Sequence, residues 1–517
     1  MLFNSFTFIF FYLPITVAGF FWLSRYSYTL SAGWLAFASI VFYGYWDYHY
    51  IPLLLSSICF NFWMGLKIAI SDKPFRKLWL IFAIISNLVL LGYFKYADFF
   101  ISTVNYISSA NIETLSIILP IGISFYTFTQ IAFLVDTYEG KVKEYRFIHY
   151  LLFVTYFPHL IAGPVLHHKE MMPQFADSRI YRFSQSNFAV GITIFCIGLA
   201  KKVLIADNLA PYANNLFNEA NASPSLLIAW GGVLAYTFQL YFDFSAYSDM
   251  AIGLSRLFGV NLPLNFNSPY KSRNISEFWR RWHMTLSRFL RDYLYIPLGG
   301  NRVGLFKQYR NLMTVMLLGG LWHGAGWSFV IWGGLHGAYL IIHHGWVKFS
   351  QKIQFPVTAM LWQIVAIGLT FMSVCIAWVF FRSAELEVAL EIIYGMFGVF
   401  GIELPDAIGS RLTILAPLIQ ELGITFYLGG GKFFIENWAW IALAAFIAFF
   451  FPNTQEIMRN FKPALDFQNS KIKNSSRNLL DYLVWQPSRW WSVWIGVITV
   501  ISLLSLNRPN DFLYFQF

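Results

Sequence analysis

Long apolar runs recur along the chain, and they constrain its fold more than any other feature of the sequence. A helix that crosses a bilayer needs about 20 consecutive apolar residues. Runs that approach this length lie at 2–24, 29–46, 50–68, 78–103, 114–135, 148–166, 185–205, 225–244, 312–330, 332–346, 356–381, 434–451 and 490–506. Several are short or interrupted by glycine, so we expect some of them to be re-entrant. The sequence therefore predicts an all-α polytopic membrane protein.

The composition supports this class and excludes two others. The 517 residues are 57% hydrophobic and 12% charged, whereas a soluble domain is about 25% charged. The net charge of +10 is the excess of Lys and Arg expected of cytoplasmic loops that face anionic lipid, so we predict no nucleic-acid partner. The three cysteines, Cys59, Cys196 and Cys375, lie inside apolar runs and predict no disulfide framework.

The placement of Lys and Arg predicts how the chain is oriented in the membrane. Arg25 follows the first span, and further basic clusters follow the third and the fifth. Residues 383–431 hold six acidic residues and one basic residue, whereas residues 453–489 hold six basic and three acidic ones. We therefore predict that 453–489 lies in the cytoplasm, that 383–431 lies outside it, and that both termini are periplasmic.

The first span is too long and too aromatic for a signal peptide and lacks a small-residue cleavage site, so we interpret it as a retained span. The sequence contains no internal repeat and no low-complexity tract. It therefore predicts one membrane domain over residues 1–517.

Residues 271–310, the basic segment, hold nine Lys or Arg residues and two acidic ones. Asn274 followed by Glu277 is typical of a helix start with a capping box, and Phe278 and Trp282 begin an apolar stripe at helical spacing. The pattern predicts an amphipathic helix in the cytoplasmic membrane interface. Such a helix would anchor the protein in lipid, or its cations would bind the phosphates of a cytosolic substrate, and the two roles are compatible.

Several histidines lie in apolar surroundings. His323 stands in a glycine-rich run, where an ionisable group is a functional candidate, but a hydrogen-bonded packing histidine fits the pattern equally well. For His336 and His159 we favour structural roles. The adjacent pairs at 167–168 and 343–344 indicate a metal only weakly, since neighbours do not face one point on a helix. Metal and serine-hydrolase motifs do not occur, so we predict no metal and no permanently bound cofactor.

Two carboxylates, Asp243 and Asp249, lie at the end of an apolar run. They would line a polar cavity or pair with arginines of the basic segment. We favour the pairing.

Several longer stretches carry a family resemblance. They read Pro-Ile-Gly-Ile-Ser-Phe-Tyr at 120–126, Phe-Pro-His-Leu-Ile-Ala-Gly-Pro at 157–164, Tyr-Phe-Asp-Phe-Ser at 241–245, Glu-Phe-Trp-Arg-Arg-Trp-His at 277–283, Leu-Arg-Asp-Tyr-Leu-Tyr-Ile-Pro-Leu-Gly-Gly-Asn-Arg at 290–302 and Gly-Leu-Trp-His-Gly at 320–324. Together they resemble the membrane-bound O-acyltransferase (MBOAT) family, and more closely its bacterial alginate O-acetylase branch. The likeness extends over nearly the whole chain.

The resemblance implies a ring of about 11–13 transmembrane or re-entrant helices around a central tunnel, with amphipathic interfacial helices. It implies a catalytic core over about 114–346 and a C-terminal span and tail over 490–517. It also implies that His323 of the Trp-His-Gly motif is catalytic and that His283 is the second family histidine. By the same motifs, we expect the substrate to be bound by Trp279, Arg280, Arg281 and Trp322.

The function implied by the resemblance is acetyl transfer from cytosolic acetyl-CoA across the bacterial inner membrane to an exopolysaccharide. A neutral imidazole is a good general base near pH 7, so His323 would be the base and His283 or a backbone N–H would bind the oxyanion. Alginate is the first candidate acceptor, and cellulose and peptidoglycan are alternatives. The expected partner is a periplasmic SGNH-like O-acetyltransferase. A polysaccharide or lipid transporter is the alternative from another class, although no internal half-repeat supports it.

The C-terminal tail gives a further hypothesis. The pattern Phe512-x-Tyr514-x-x-Phe517 is similar to the C-terminal motif of a small protein that assists D-alanyl transfer to teichoic acids, in which a tyrosine is thought to carry the acyl group. An aromatic anchor in the membrane interface explains the tail equally simply. We predict that Tyr514 enters the tunnel from the periplasmic side and is transiently acetylated, with His323 as its base.

Overall fold

Helices account for nearly all regular structure in the computed structural model. It describes residues 1–142, 144–161, 163–218, 223–350, 359–411, 416–421, 423–465, 467, 483–506 and 513. Two compact units are present: unit 1 comprises 1–199, 246–265 and 454–506, and unit 2 comprises 200–245, 266–453 and 507–517. The prediction that residues 1–517 form a single membrane domain stays a prediction.

Unit 1 is built from the N-terminal helices and one helix near the C-terminus. Its longer helices are Leu13–Leu23, Tyr28–Gly44, Ile51–Ile70, Lys73–Leu91, Ala97–Ser108, Ile123–Tyr138, Phe147–Thr155, His168–Ala176, Gln185–Ala200 and Arg489–Leu504. Short π-helical turns at Phe8–Tyr12 and Gly92–Tyr96 continue into helices that follow them. Four of these helices are tied by a buried amide network, defined by Ser57, Asn61, Asn87, Gln130 and Tyr150.

Unit 2 contains the basic segment and most of the motifs. Its helices include Asp207–Asn218, the first part of Leu226–Leu257, Ile275–Trp279, Met284–Leu290, Leu305–His323, Trp327–Ser350, Ala359–Arg382, Leu386–Met396 and Gly431–Phe450. The last part of Leu226–Leu257 belongs to unit 1. Two short strands, Ile402–Pro405 and Ile424–Tyr427, pair in parallel.

Among the described residues, five helical stretches are long and apolar enough to cross a bilayer. They are Tyr48–Ile70, Pro74–Ser108, Gln185–Asn218, Met360–Arg382 and Gly431–Phe450, and three shorter apolar helices, Phe8–Leu23, Tyr28–Gly44 and Arg489–Leu504, accompany them. Because many large side chains on these helices are exposed, from Phe11 to Leu504, the surface suits a lipid environment. The all-α polytopic membrane class is confirmed.

The predicted span at 114–135 is wrong in its first part. The helix there is Ile123–Tyr138, and the apolar residues before it are not helical. The backbone N–H of Leu115 donates to Asp98 Oδ1 instead (2.7 Å). Gly122, with φ 72°, precedes the helix, and this left-handed conformation ends the extended stretch, since glycine adopts it without steric cost.

Glycines hold two helices of unit 2 against each other. The helix Leu305–His323 packs along Trp327–Ser350, and a Cβ atom at Gly320 would meet the carbonyl oxygen of Phe329. A Cβ atom at Gly333 would likewise meet the carbonyl oxygen of Met316. Small residues allow such close approach of helix backbones in membranes. Gly320 and Gly333 therefore admit a neighbouring helix backbone.

Candidate active site

The basic segment begins as the sequence predicts and then departs from the prediction. Asn274 Oδ1 accepts the backbone N–H of Glu277 (2.8 Å) and starts the helix Ile275–Trp279. Glu277 completes the cap through the backbone N–H of Arg273 (3.0 Å). The prediction of a single amphipathic helix along the apolar stripe is wrong. The first helix ends at Trp279, and a second one, Met284–Leu290, begins after His283.

His283 forms the break between the two short helices. Its backbone is left-handed, with φ 42° and ψ 52°, a conformation in which His, Asn and Asp are enriched among non-glycine residues. The side chain is fully buried, with its ring centroid 4.9 Å from that of Phe244. Burial lowers the pKa of His283 to about 3, because the charged imidazolium would lose its hydration. The ring is therefore neutral at physiological pH.

His323 is the last residue of the helix Leu305–His323 and lies beside His283. The two imidazole centroids are 6.3 Å apart, and we call these residues the histidine pair. His323 also contacts aromatic rings on three sides, with centroid distances of 4.9 Å to Trp322, 5.1 Å to Trp332 and 5.1 Å to Phe381. Two histidines 40 positions apart in the sequence are thus brought together inside an aromatic enclosure.

His336 belongs to the same enclosure. Its ring lies 4.8 Å from Trp332, which in turn contacts His323. The Nδ1 atom of His336 accepts from Trp279 Nε1 (3.3 Å). This hydrogen bond agrees with the structural role that we favoured for His336, and it gives Trp279, an expected substrate-binding residue, a part in holding the enclosure together.

The sequence interpretation missed three aromatic residues of the enclosure. Trp332 and Trp378 stack with centroids 5.9 Å apart, and Phe381 lies 5.3 Å from Trp378. Trp378 and Phe381 are three residues apart on one helix, so they share a helix face. That spacing was visible in the sequence, but it also fits ordinary core packing.

The expected substrate-binding arginines occupy different environments. Arg280 is exposed, whereas Arg281 is half-buried and pairs with Glu277 Oε1 (2.8 Å). Trp322 is buried, with its ring centroid 6.1 Å from that of His283. The structure thus places Trp322 at the histidine pair, Trp279 beside His336 in the aromatic enclosure, Arg281 in the helix cap and Arg280 at the surface.

The histidine pair and the exposed cations lie at opposite ends of one helix. Asn311 Nδ2 donates to the carbonyl oxygen of Leu298 (2.9 Å), so the chain that leaves His283 runs antiparallel to the helix Leu305–His323. Arg302, Lys307 and Arg310 are exposed near the start of that helix. From Asn311 to His323 the helix rises about 18 Å. Buried imidazoles and surface cations are thereby connected by one continuous packed segment.

The pairing with arginines of the basic segment that we favoured is wrong for Asp243. Asp243 is buried and pairs with Lys202 Nζ (2.6 Å), which also contacts Asp207 (2.9 Å). Asp249, in unit 1, accepts from Gln455 Nε2 (3.0 Å) and from the Thr454 hydroxyl (2.5 Å). A lysine outside the basic segment therefore compensates the charge of Asp243, because burying a carboxylate without a cation is costly.

Asp243 has a second partner from the C-terminal tail. The backbone N–H of Leu513 donates to Asp243 Oδ2 (3.0 Å), and Leu513 is buried. Tyr514, the next residue in the chain, lies outside the described residues, as do Phe512 and Phe517.

Two further histidines have local partners in unit 1. His159 Nε2 lies 2.9 Å from the carbonyl oxygen of Phe153, in agreement with the structural role that we favoured. His168 Nδ1 lies 3.1 Å from Asp136 Oδ2.

Comparison with known proteins gives the family. The sequence pattern of the membrane-bound O-acyltransferase family matches residues 49–385. A peptidoglycan O-acetyltransferase of Helicobacter pylori is 48% identical over 78% of this chain and 81% of its own length. A probable alginate O-acetylase, AlgI, of Pseudomonas aeruginosa is 44% identical over the whole length of both chains. A teichoic acid D-alanyltransferase of Bacillus subtilis is 29% identical over 51% of this chain and 68% of its own length.

The two histidines of the pair belong to the family-like motifs at 277–283 and 320–324, and both motifs lie inside the matched region. The apolar helices agree with a membrane enzyme, and the relatives are acyl-transferring proteins by name. This chain belongs to the membrane-bound O-acyltransferase family and is an acyltransferase.

Proposed function

We propose that this acyltransferase takes acetyl from acetyl-CoA at the cytoplasmic face of the bacterial inner membrane and passes it outward for O-acetylation of a secreted polysaccharide. The observation that carries the proposal is the arrangement within unit 2: a buried histidine pair at one end of the helix Leu305–His323 and exposed cations at the other. Cations suit the phosphates of coenzyme A, and the enclosed imidazoles suit acyl transfer.

The acyl acceptor on the enzyme would be Tyr514. A phenol has a pKa of about 10 and needs a base to act as a nucleophile near neutral pH. His323 removes the phenol proton as the oxygen attacks the thioester carbonyl. The carbon–sulfur bond then breaks, and the imidazolium of His323 gives the phenol proton to the departing coenzyme A thiolate. An acetyl ester on Tyr514 and a neutral thiol result. The buried position of Leu513 supports a tail that enters unit 2.

His283 would serve a different purpose from His323. A ring whose pKa is about 3 stays neutral and does not exchange protons readily at pH 7, so it is a poor general base. A neutral imidazole N–H can still donate to a developing oxyanion, as it does in other enzymes. We therefore assign His323 as the base and His283 as the oxyanion donor.

The acceptor beyond the membrane would be alginate or another exported glycan. The alginate O-acetylase name of one relative and the peptidoglycan O-acetyltransferase name of another support a polysaccharide, and cellulose is a further candidate. A periplasmic SGNH-like O-acetyltransferase would take the acetyl group from Tyr514 and complete the transfer. Both termini would lie in the periplasm, as the distribution of Lys and Arg favours.

The test is incubation of the purified protein with radiolabelled acetyl-CoA and no periplasmic partner. We expect label on the peptide that contains Tyr514, and loss of that label in Tyr514→Phe, which keeps the aromatic ring. Tyr106→Phe is the matched control, because Tyr106 is 90% exposed and takes no part in the proposed chemistry. Undiminished polysaccharide acetylation by Tyr514→Phe in cells would leave only the anchor role for the tail.

A further inference from the structure

A cavity of about 410 Å³ lies in unit 2 outside the aromatic enclosure. Tyr212 and Phe433 form one wall, with ring centroids 4.6 Å apart. The cavity is also lined by Ser225, Tyr427 and Asn437, and we call it the Tyr212 pocket. Its volume falls in the lower part of the range for small-molecule sites, about 300–1,000 Å³.

Polar atoms in the wall of the Tyr212 pocket are buried without a protein partner. The Ser225 side chain is 1% exposed and Asn437 is 8% exposed. Neither the Ser225 hydroxyl nor Asn437 Oδ1 has a hydrogen-bond partner among the residues that the structure describes. A buried polar group without a partner costs about 1–3 kcal/mol, and a ligand in the pocket that offers hydroxyl or amide groups would relieve that cost.

The charge of the Tyr212 pocket limits the ligand further. Of its described lining residues, Glu403 is acidic and none is Lys or Arg. Partial burial and the nearby Glu403 carboxylate raise the pKa of Tyr427, so the phenol keeps its proton and can donate. A carboxylate ligand would meet Glu403 with no cation to balance it, which selects against anions. The pocket therefore suits a neutral ligand.

The position of the pocket relates it to the acyltransferase site. The helix Gly431–Phe450 begins at the pocket, and just after its other end the carbonyl oxygen of Phe451 accepts from Lys271 Nζ of the basic segment (2.7 Å). Its 20 residues rise about 30 Å, the thickness of a bilayer core. One helix, about as long as a bilayer core is thick, thus separates the pocket from Lys271 of the basic segment.

A short chain of contacts leads from the pocket to the histidine pair. The ring of Phe381 lies 5.1 Å from His323. The next residue, Arg382, donates to Asn214 Oδ1 (3.1 Å), on the helix that supplies Tyr212 to the pocket wall. These contacts connect the wall of the pocket to the histidine pair within unit 2.

We propose that the Tyr212 pocket binds a neutral pyranose unit of the glycan that is acetylated. Aromatic ring faces carry partial negative charge and pack against the C–H edges of a sugar, while Ser225, Asn437 and Tyr427 match its hydroxyl or acetamido groups. This proposal rests on the proposed function for its link to acetylation. Because it favours a neutral hexose or N-acetylhexosamine over a uronate, it favours cellulose or peptidoglycan over the polyuronate alginate among the candidate acceptors. The membrane subunit would hold the acceptor glycan close to the point where acetyl emerges.

Binding is measured by saturation-transfer difference NMR with the full-length protein in nanodiscs, without acetyl-CoA. The probes are cellobiose, the β-1,4 disaccharide of N-acetylglucosamine, and a mannuronate disaccharide. We expect a neutral disaccharide to bind and the mannuronate to bind at least about tenfold more weakly. Ser225→Val and Asn437→Leu should each weaken binding about tenfold, as expected for one lost hydrogen bond. Phe446→Ala, on the exposed face of the same helix as Asn437, is the matched control.

Three results would overturn the proposal: equal binding of mannuronate, neutral-sugar binding that neither pocket variant weakens, or variants that lose the complex with the periplasmic acetyltransferase instead of the sugar. His323→Ala separates this proposal from the proposed function. It should abolish acetyl transfer and keep sugar binding. If wild-type protein bound neutral sugar but never accepted acetyl from acetyl-CoA, the proposed function alone would fail.

Discussion

The buried amide network of unit 1 and the histidine pair of unit 2 are both polar groups enclosed by helices, but their neighbours differ. Asn61 and Asn87 exchange reciprocal hydrogen bonds of 3.0 and 2.7 Å, and Gln130 donates to the Ser57 hydroxyl (3.0 Å). The histidine pair is surrounded mainly by aromatic rings, among them Trp322, Trp332 and Phe381.

The difference shows two roles that buried polar groups have in this protein: joining helices and supporting chemistry. In the amide network, donors and acceptors satisfy each other, so the polar atoms join helices. In the aromatic enclosure, apolar rings fix the positions of the imidazoles and exclude water, which strengthens any electrostatic interaction with a bound acyl donor. We therefore expect mutations in the first region to change stability, and mutations in the second to change activity.

The largest expected effect is on His323. We predict that His323→Ala lowers acetyl transfer about 10²–10⁴-fold, the usual contribution of a general base, and leaves the melting temperature of the purified protein close to that of wild type. The measurements are transfer of labelled acetyl and a thermal unfolding curve in the same detergent. Wild-type transfer rates in this variant would contradict the role of His323 as the base.

The amide network should show the opposite pattern. Asn87→Leu leaves the buried amide of Asn61 without its partner, so we expect a loss of about 1–3 kcal/mol in the free energy of unfolding. Activity per folded molecule should be unchanged. The double variant Asn61→Leu, Asn87→Leu removes both amides and should be less destabilised than the sum of the single variants. Additive losses would show that the two amides do not act as a pair.

Acidification should destabilise the region around His283. Its pKa is about 3 in the folded protein and about 6.5 when unfolded, so the unfolded chain binds the proton first. The stabilising contribution is complete above pH 6.5 and is lost as pH falls from 6.5 toward 3. At pH 5.5 the loss is about 1.4 kcal/mol. Unfolding of wild type and His283→Asn at pH 7.5 and 5.5 checks this, and an equal decline in both proteins would contradict it.

The smallest expected effect concerns the two expected substrate-binding arginines, Arg280 and Arg281. Arg280 is exposed, and removing one exposed charge contact costs about 0.2–1 kcal/mol. We predict that Arg280→Gln raises the apparent KM for acetyl-CoA by up to about fivefold without loss of stability. Arg281→Gln also breaks the pair with Glu277 and should lower the melting temperature. If only Arg281→Gln changed the KM, the donor site would include the helix cap rather than the exposed cation.

Local sequence patterns were sufficient for much of the fold. The expected spans at 434–451 and 490–506 correspond to the helices Gly431–Phe450 and Arg489–Leu504, because long apolar runs leave little alternative in a membrane. The span at 114–135 failed because apolar composition does not itself specify helical hydrogen bonds. There the carboxylate of Asp98 takes backbone N–H groups that a helix would have used.

The sequence predicted the histidines of the candidate site but not the aromatic residues that enclose them. His323 and His283 stood in motifs, and the structure brings their rings together. The break at His283 depends on contacts with residues distant in the sequence, such as Phe244, and helix periodicity contains no information on them. The roles of Trp378 and Asp243 were not predictable for the same reason. Trp378 stacks on Trp332 and Asp243 pairs with Lys202, and each partner is more than 40 residues away in the sequence.

The helix Gly431–Phe450 also makes unit 2 sensitive to its lipid. One rigid element separates the Tyr212 pocket from Lys271, which bonds to Phe451, so their separation cannot adapt to a thinner or thicker membrane. Hydrophobic mismatch would then be met by helix tilt or by deformation of the bilayer, at a cost of fractions of a kcal/mol per Å. The acyl-chain length of the host lipids thereby becomes a determinant of how well the two faces of this enzyme are held in place.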